Sequence, residues 1–158
     1  MGTGEIGVGH VGRVGQAGQM GRTARVWTGA EWTLAALVLV HLAISILHGR
    51  AHEGAQVPLS PAAMLFVYIV ILAGPLAGLV VARRAPIAGE WIVAVCLGGA
   101  LVFGLVNHFI IAGPDHVDHV AAAWRTQFGV TAALLVVTEA AGAALGVWCA
   151  TRRVRRTP

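Results

Sequence analysis

Four stretches of this chain are apolar for about the length a helix needs to cross a bilayer, and nothing else in the sequence constrains the fold as strongly. A hydrocarbon core about 30 Å thick takes roughly 20 helical residues. The runs extend from about Trp32 to Gly49, Ala62 to Ala82, Trp91 to Ala112 and Phe128 to Ala150. Hydrophobic residues make up 57 % of the chain and charged residues 11 %, a balance well outside that of soluble domains. The runs are unbroken rather than alternating, so helices are expected and barrel strands are not. The expected fold is all-α: a polytopic membrane protein whose short connections set four transmembrane helices antiparallel, as an up-down-up-down bundle.

Arginine supplies all eleven basic residues, and its placement predicts orientation. Arg13, Arg22 and Arg25 precede the first run, Arg83 and Arg84 follow the second, and Arg152, Arg153, Arg155 and Arg156 follow the fourth. Only Arg50 and Arg125 fall on the other side. The positive-inside rule then predicts a multi-pass protein of the cell (inner) membrane with both termini cytoplasmic. The bilayer is the expected partner of the basic charge. With no folded soluble surface to carry a footprint, nucleic acid is not.

Residues 1–25 are glycine-rich and too poor in apolar content to fold alone, so they are expected to form a disordered tail, with Met20 a plausible start. A transmembrane domain over 26–151 and a basic tail over 152–158 complete the expected organisation. The connection from Gly113 to Trp124 is expected to form a short interfacial helix, with Pro114 in its first turn. Gly74 with Gly78, Gly98 with Gly99, and Gly142 with Gly146 are expected to let helices approach closely. Cys96 and Cys149 lie inside runs and read as small apolar fillers.

The segment HLAISILHGRAHEG, from His41 to Gly54, puts His41, His48 and His52 on one stripe of a helix. His108, Asp115 and His119 repeat the same spacing, but Gly113 and Pro114 interrupt the helix between them. Depth is therefore the better ruler. Trp32 and Trp91 begin two runs at one membrane face, where tryptophan anchors to headgroups. Counting about 1.5 Å per residue from those anchors, His41 lies about 14 Å deep, and His48 and His108 both lie about 24 to 26 Å deep. Trp148 marks the same face on the fourth run, and Glu139, nine residues earlier, falls level with His41. The expected pairs are His41 with Glu139 and His48 with His108, below a mouth formed by His52, Asp115, His116, Asp118 and His119.

Imidazoles with carboxylates suit iron, zinc or Cu(II), while the scarcity of methionine and cysteine at this level disfavours Cu(I). The expected ligands, to one ion or two, are His48, His52, His108 and His119, with His116 or Asp115 as a further donor. Glu139 and His41 are the candidate catalytic pair, standing behind the ligands or carrying protons from below. An open coordination position would then serve a metal-dependent membrane oxidoreductase or hydroxylase. The pairs His48/His52 and His116/His119 resemble the histidine boxes of integral-membrane di-iron desaturases and hydroxylases. Those families use more histidines and set them at the cytosolic face, whereas the arginines here place them opposite.

Two alternatives come from other classes. His48 and His108, level on different helices, could ligate a b-type haem for electron transfer. The polar column could also serve a small metal-ion or proton carrier, acting as a homodimer or as a structural subunit of a larger membrane complex. Ser45 and Ser60 are the only serines, and neither sits in a nucleophile elbow.

Overall fold

The computed structural model describes residues 26–156; the glycine-rich segment and the candidate start Met20 lie outside them. Four helices are long and apolar enough to cross a membrane: α1 (Gly29–Gly54), α2 (Pro61–Ala82), α3 (Pro86–Ile110) and α4 (Ala122–Val154). No strand occurs among the described residues.

Local chemistry sets the helix ends. Thr28 caps α1 in a reciprocal box with Glu31, Ser60 caps α2, and Pro61 and Pro86 occupy first turns where a missing N–H costs nothing. At the far end of α1 the Gln56 N–H donates to the Glu53 carbonyl and the Val57 N–H to the His52 carbonyl. Gln56 adopts φ 55°, the left-handed conformation this stop requires. Val57 then packs against the cluster of Ala51, Val120 and Phe128, and the helix ends two residues beyond His52.

Rising numbers on one helix meet falling numbers on the next, which fixes the antiparallel order. Between α1 and α4, Glu31 meets Arg153, His41 meets Glu139, and His48 meets Thr131. Between α3 and α4, Glu90 meets Arg153 and His108 meets Phe128. Helix α4 packs along both α1 and α3, while α2 leans on α3 and barely touches α1. Leu34, Val38, Val93 and Leu97 form the central apolar core.

The glycines divide by what faces them. A Cβ on Gly89 would collide with the backbone nitrogen of Ala82 and the carbonyl oxygen of Gly78, and one on Gly142 would meet the Leu97 side chain. Gly74 accommodates Cys96, which acts as the expected filler. Gly98 has nothing within 4 Å and Gly99 only ordinary contacts, so this second pair does not bring helices together. Because backbone atoms cannot rotate aside, Gly89→Ala is expected to destabilise the bundle by about 3 kcal/mol, the upper end for overpacking. Gly98→Ala is expected to be neutral. Thermal unfolding of both variants in mild detergent checks the contrast.

Two stretches widen into π-helix, Val67–Ala73 and Val106–Ile110. The first leads into Pro75, which has no N–H to offer Ile71 four residues back and whose ring crowds that carbonyl. The second carries His108.

The connection after α3 is a chain of turns rather than the expected interfacial helix. Val117 N–H donates to the His108 carbonyl at 3.1 Å, His116 N–H to Gly113 at 3.1 Å, and His119 N–H to His116 at 2.9 Å. Capturing a free carbonyl at the end of α3 folds the segment back over the bundle and carries Asp115 onto the histidines.

At the opposite end, Arg153 donates to Glu90 Oε1 and to Glu31 Oε1, each at 2.7 Å. The two carboxylate residues are 0 % and 4 % exposed, so one guanidinium ties the starts of α1 and α3 to the end of α4.

Candidate metal centre

The buried stripe of α1, the π-turn of α3 and the first turns of α4 converge at one level. One ring nitrogen from each of His48, His52 and His108 can be chosen so that all three lie within 4.8 Å of one another. The three residues are at most 9 % exposed. Phe128, fully buried, walls one side, with ring centroids 4.6, 4.8 and 5.2 Å from His48, His52 and His108.

Hydrogen bonds on the far nitrogens assign the tautomers. Thr131 Oγ1 lies 2.7 Å from the Gln127 carbonyl and 3.1 Å from that of Phe128, so its single proton is turned toward its own helix backbone. It therefore accepts from His48 Nδ1–H, 2.9 Å away. His108 Nδ1–H donates to the Asp115 carbonyl at 3.1 Å, with the Asp115 carboxylate oxygen Oδ1 at 3.2 Å. In the neutral rings both Nε2 atoms then carry lone pairs, and they face each other across 3.2 Å. His52 turns Nε2 toward Asp115 Oδ1 at 3.3 Å, while its buried Nδ1 makes no hydrogen bond. Each of the three rings thus keeps one nitrogen without a hydrogen-bond partner outside the cluster.

Two facing acceptors repel unless a cation lies between them, and the spacing indicates which geometry fits. Nitrogens 2.0–2.1 Å from one ion at a tetrahedral angle stand about 3.3 to 3.4 Å apart, whereas opposed ligands on bonds of that length stand about 4 Å apart. The observed 3.2 Å matches neighbouring ligands on one ion.

One level deeper, His41 Nε2–H donates to the Ile71 carbonyl at 3.2 Å, the oxygen that Pro75 leaves without its usual helical donor. Ser45 donates to the His41 carbonyl at 2.9 Å, as expected for a serine satisfied within its own helix. His41 Nδ1 then faces Glu139 Oε1 across 3.7 Å; His41 Nδ1 and Glu139 Oε2 are both buried without a hydrogen bond. Gly104 lies between this pair and the cluster, where a Cβ would stand 3.8 Å from His108 Cδ2 and 3.9 Å from Glu139 Oε2.

The loop histidines take other partners. His119 is exposed and donates from Nδ1 to the Gly113 carbonyl at 2.7 Å, and His116 Nδ1 accepts from the Asp118 N–H at 3.2 Å. The two rings pack on each other at 5.4 Å. Asp115 holds two of the clustered rings from outside. Thr131 was missed by sequence reasoning, although the depth ruler contains it: in an antiparallel pair that sets His41 against Glu139, the residue facing His48 falls at about 132.

A cavity of about 520 Å³ borders the cluster, reaching from Asp115, His52, His48 and His108 down to Glu139. Its walls are mainly apolar, and Ile46 of α1 with Met64 and Tyr68 of α2 line its side where those helices barely touch.

Four membrane-spanning helices around a buried three-histidine group define the class: a multi-pass membrane protein whose site could hold a metal ion. Comparison with known protein families, with curated proteins and with solved structures returned no match to this chain.

Proposed function

We propose that this chain is an integral membrane metalloprotein in which His48 Nε2, His108 Nε2 and His52 Nδ1 hold one first-row transition ion: iron, zinc or Cu(II). The observation that carries this reading is the 3.2 Å approach of the His48 and His108 Nε2 atoms while both Nδ1 atoms are engaged outside the cluster. Thr131 and Asp115 fix the tautomers, as outer partners of ligating imidazoles generally do. The open coordination position faces the apolar cavity, which gives a substrate dissolved in the bilayer a route between α1 and α2. A redox metal there would supply oxidoreductase or hydroxylase chemistry, and zinc would supply a Lewis acid. Glu139, 3.7 Å from His41 Nδ1 and on the cavity wall, is the group placed to exchange protons with the cavity. We orient the arginine-rich end toward the cytoplasm, which puts the centre near the outer face.

Purification in mild detergent, followed by elemental analysis and an absorption spectrum on the same sample, tests the reading. Stoichiometric iron, zinc or copper without a Soret band supports it. A Soret band would replace it with a b-type haem protein, for which the rings of His52 and Phe128 would first have to clear a flat slot around the His48–His108 axis. Absence of both metal and haem would leave the carrier or structural-subunit reading, with a homodimer or larger complex as its context.

Two substitutions separate ligand support from proton supply. Thr131→Val removes the acceptor that fixes His48 and is expected to weaken metal binding by about 10- to 100-fold. Glu139→Gln is expected to leave metal content unchanged while altering activity or stability. Chelator competition reads the first, and elemental analysis beside a thermal unfolding curve reads the second.

A further inference from the structure

At the arginine-rich end a second cavity, of about 480 Å³, opens between the start of α1, the start of α3 and the end of α4. Arg152, Arg153 and Arg156 line it together with Thr28, Ile87 and Trp148. Arg153 is committed to the buried Glu31 and Glu90 at the floor, which offsets charge there. The Arg152 guanidinium carbon lies over the Trp148 ring, 4.2 Å from its centroid, and neither Arg152 nor Arg156 has a side-chain hydrogen bond or ion pair among the described residues. Helix α3 begins here at Pro86, and its N-cap residue Ala85 offers no side-chain cap, so the first-turn amides add to the positive end.

Two unpaired guanidiniums in a pocket with apolar sides call for an anion carrying apolar substance, and the surroundings say which. Trp148 is 43 % exposed and Val147 39 % exposed on the outward side of α4, so the wall continues into the hydrocarbon-facing surface. The chain's own residues 1–25 carry three arginines against one glutamate, the wrong sign of charge for this pocket. We propose that this cavity binds the phosphate headgroup of an anionic phospholipid, with Arg152 and Arg156 on the phosphate oxygens and the acyl chains lying along Trp148 and Val147. Planar guanidiniums match phosphate oxygens in pairs, and basic pockets between transmembrane helices suit such headgroups.

Native mass spectrometry of the detergent-purified protein, titrated with dioleoylphosphatidylglycerol, tests the site. One phosphatidylglycerol is expected to be retained where dioleoylphosphatidylcholine is not. Arg152→Gln/Arg156→Gln is expected to weaken retention about thirty-fold, and Arg83→Gln/Arg84→Gln, at the same membrane face but outside the pocket, to leave it unchanged. Arg156→Gln alone, whose guanidinium supports nothing in the described fold, should give a smaller loss and keeps the test decisive if the double variant does not fold. The proposal is overturned if the pocket substitutions change nothing, if both pairs of substitutions weaken retention alike, or if phosphatidylcholine is held as well. Displacement of the lipid by millimolar inorganic phosphate would overturn it in favour of a free-phosphate site.

Discussion

Alanine at His108 is expected to lower metal affinity by more than about 100-fold, beyond the 10- to 100-fold that loss of an outer partner costs a ligating imidazole. The reason is geometric. His108 supplies one of the two lone pairs that face each other at 3.2 Å, and its Nδ1 ties the cluster to Asp115. Without it only His48 and His52 remain, both from α1, and no second helix contributes a nitrogen among the described residues that form the group. His48→Ala should behave alike, whereas His41→Ala, one level deeper and bonded to Ile71, should keep its metal. Metal-to-protein ratios after dialysis against a graded chelator series read all three. Equal retention in His108→Ala and the parent would remove the proposed centre, and equal loss in His41→Ala would mean that the layers are misassigned.

The largest effect on stability is expected at the other end of the bundle. Arg153→Met removes the guanidinium that buried Glu31 and Glu90 share, and breaking such a group by removing one partner costs about 3 to 5 kcal/mol. Replacing all three together, as Glu31→Gln/Glu90→Gln/Arg153→Met, removes the uncompensated charges and is expected to recover most of the loss. Thermal unfolding in detergent compares the two. If the triple variant is no more stable than Arg153→Met, the loss comes from packing of the arginine stem rather than from stranded carboxylates.

Some of this was legible beforehand. The four spans, their antiparallel order and the pairings of His41 with Glu139 and His48 with His108 all follow from hydrophobic run length and a fixed rise per residue counted from tryptophan anchors. The bond from His41 to the Ile71 carbonyl is half legible: Pro75 identifies which oxygen loses its helical donor, but not which side chain turns toward it. Gly98 and Gly99 misled because spacing cannot tell a glycine against a neighbouring helix from one facing open space. The expected helix after Gly113 failed because a proline and two acids signal a helix start only where the local chain is free to coil. Here the His108 carbonyl captures Val117 first.

The sequence by itself determined that this protein is a four-helix bundle and that His41 shares a level with Glu139 and His48 with His108, because transmembrane helices satisfy their own backbone and advance by a fixed step. Only the tertiary structure decided that His52 completes a trio with His48 and His108, that Asp115 and Thr131 fix its protons, and that Arg153 closes the other end. Those outcomes depend on the rotation of each helix about its axis and on how a loop closes, and both are set by packing against neighbours far along the chain.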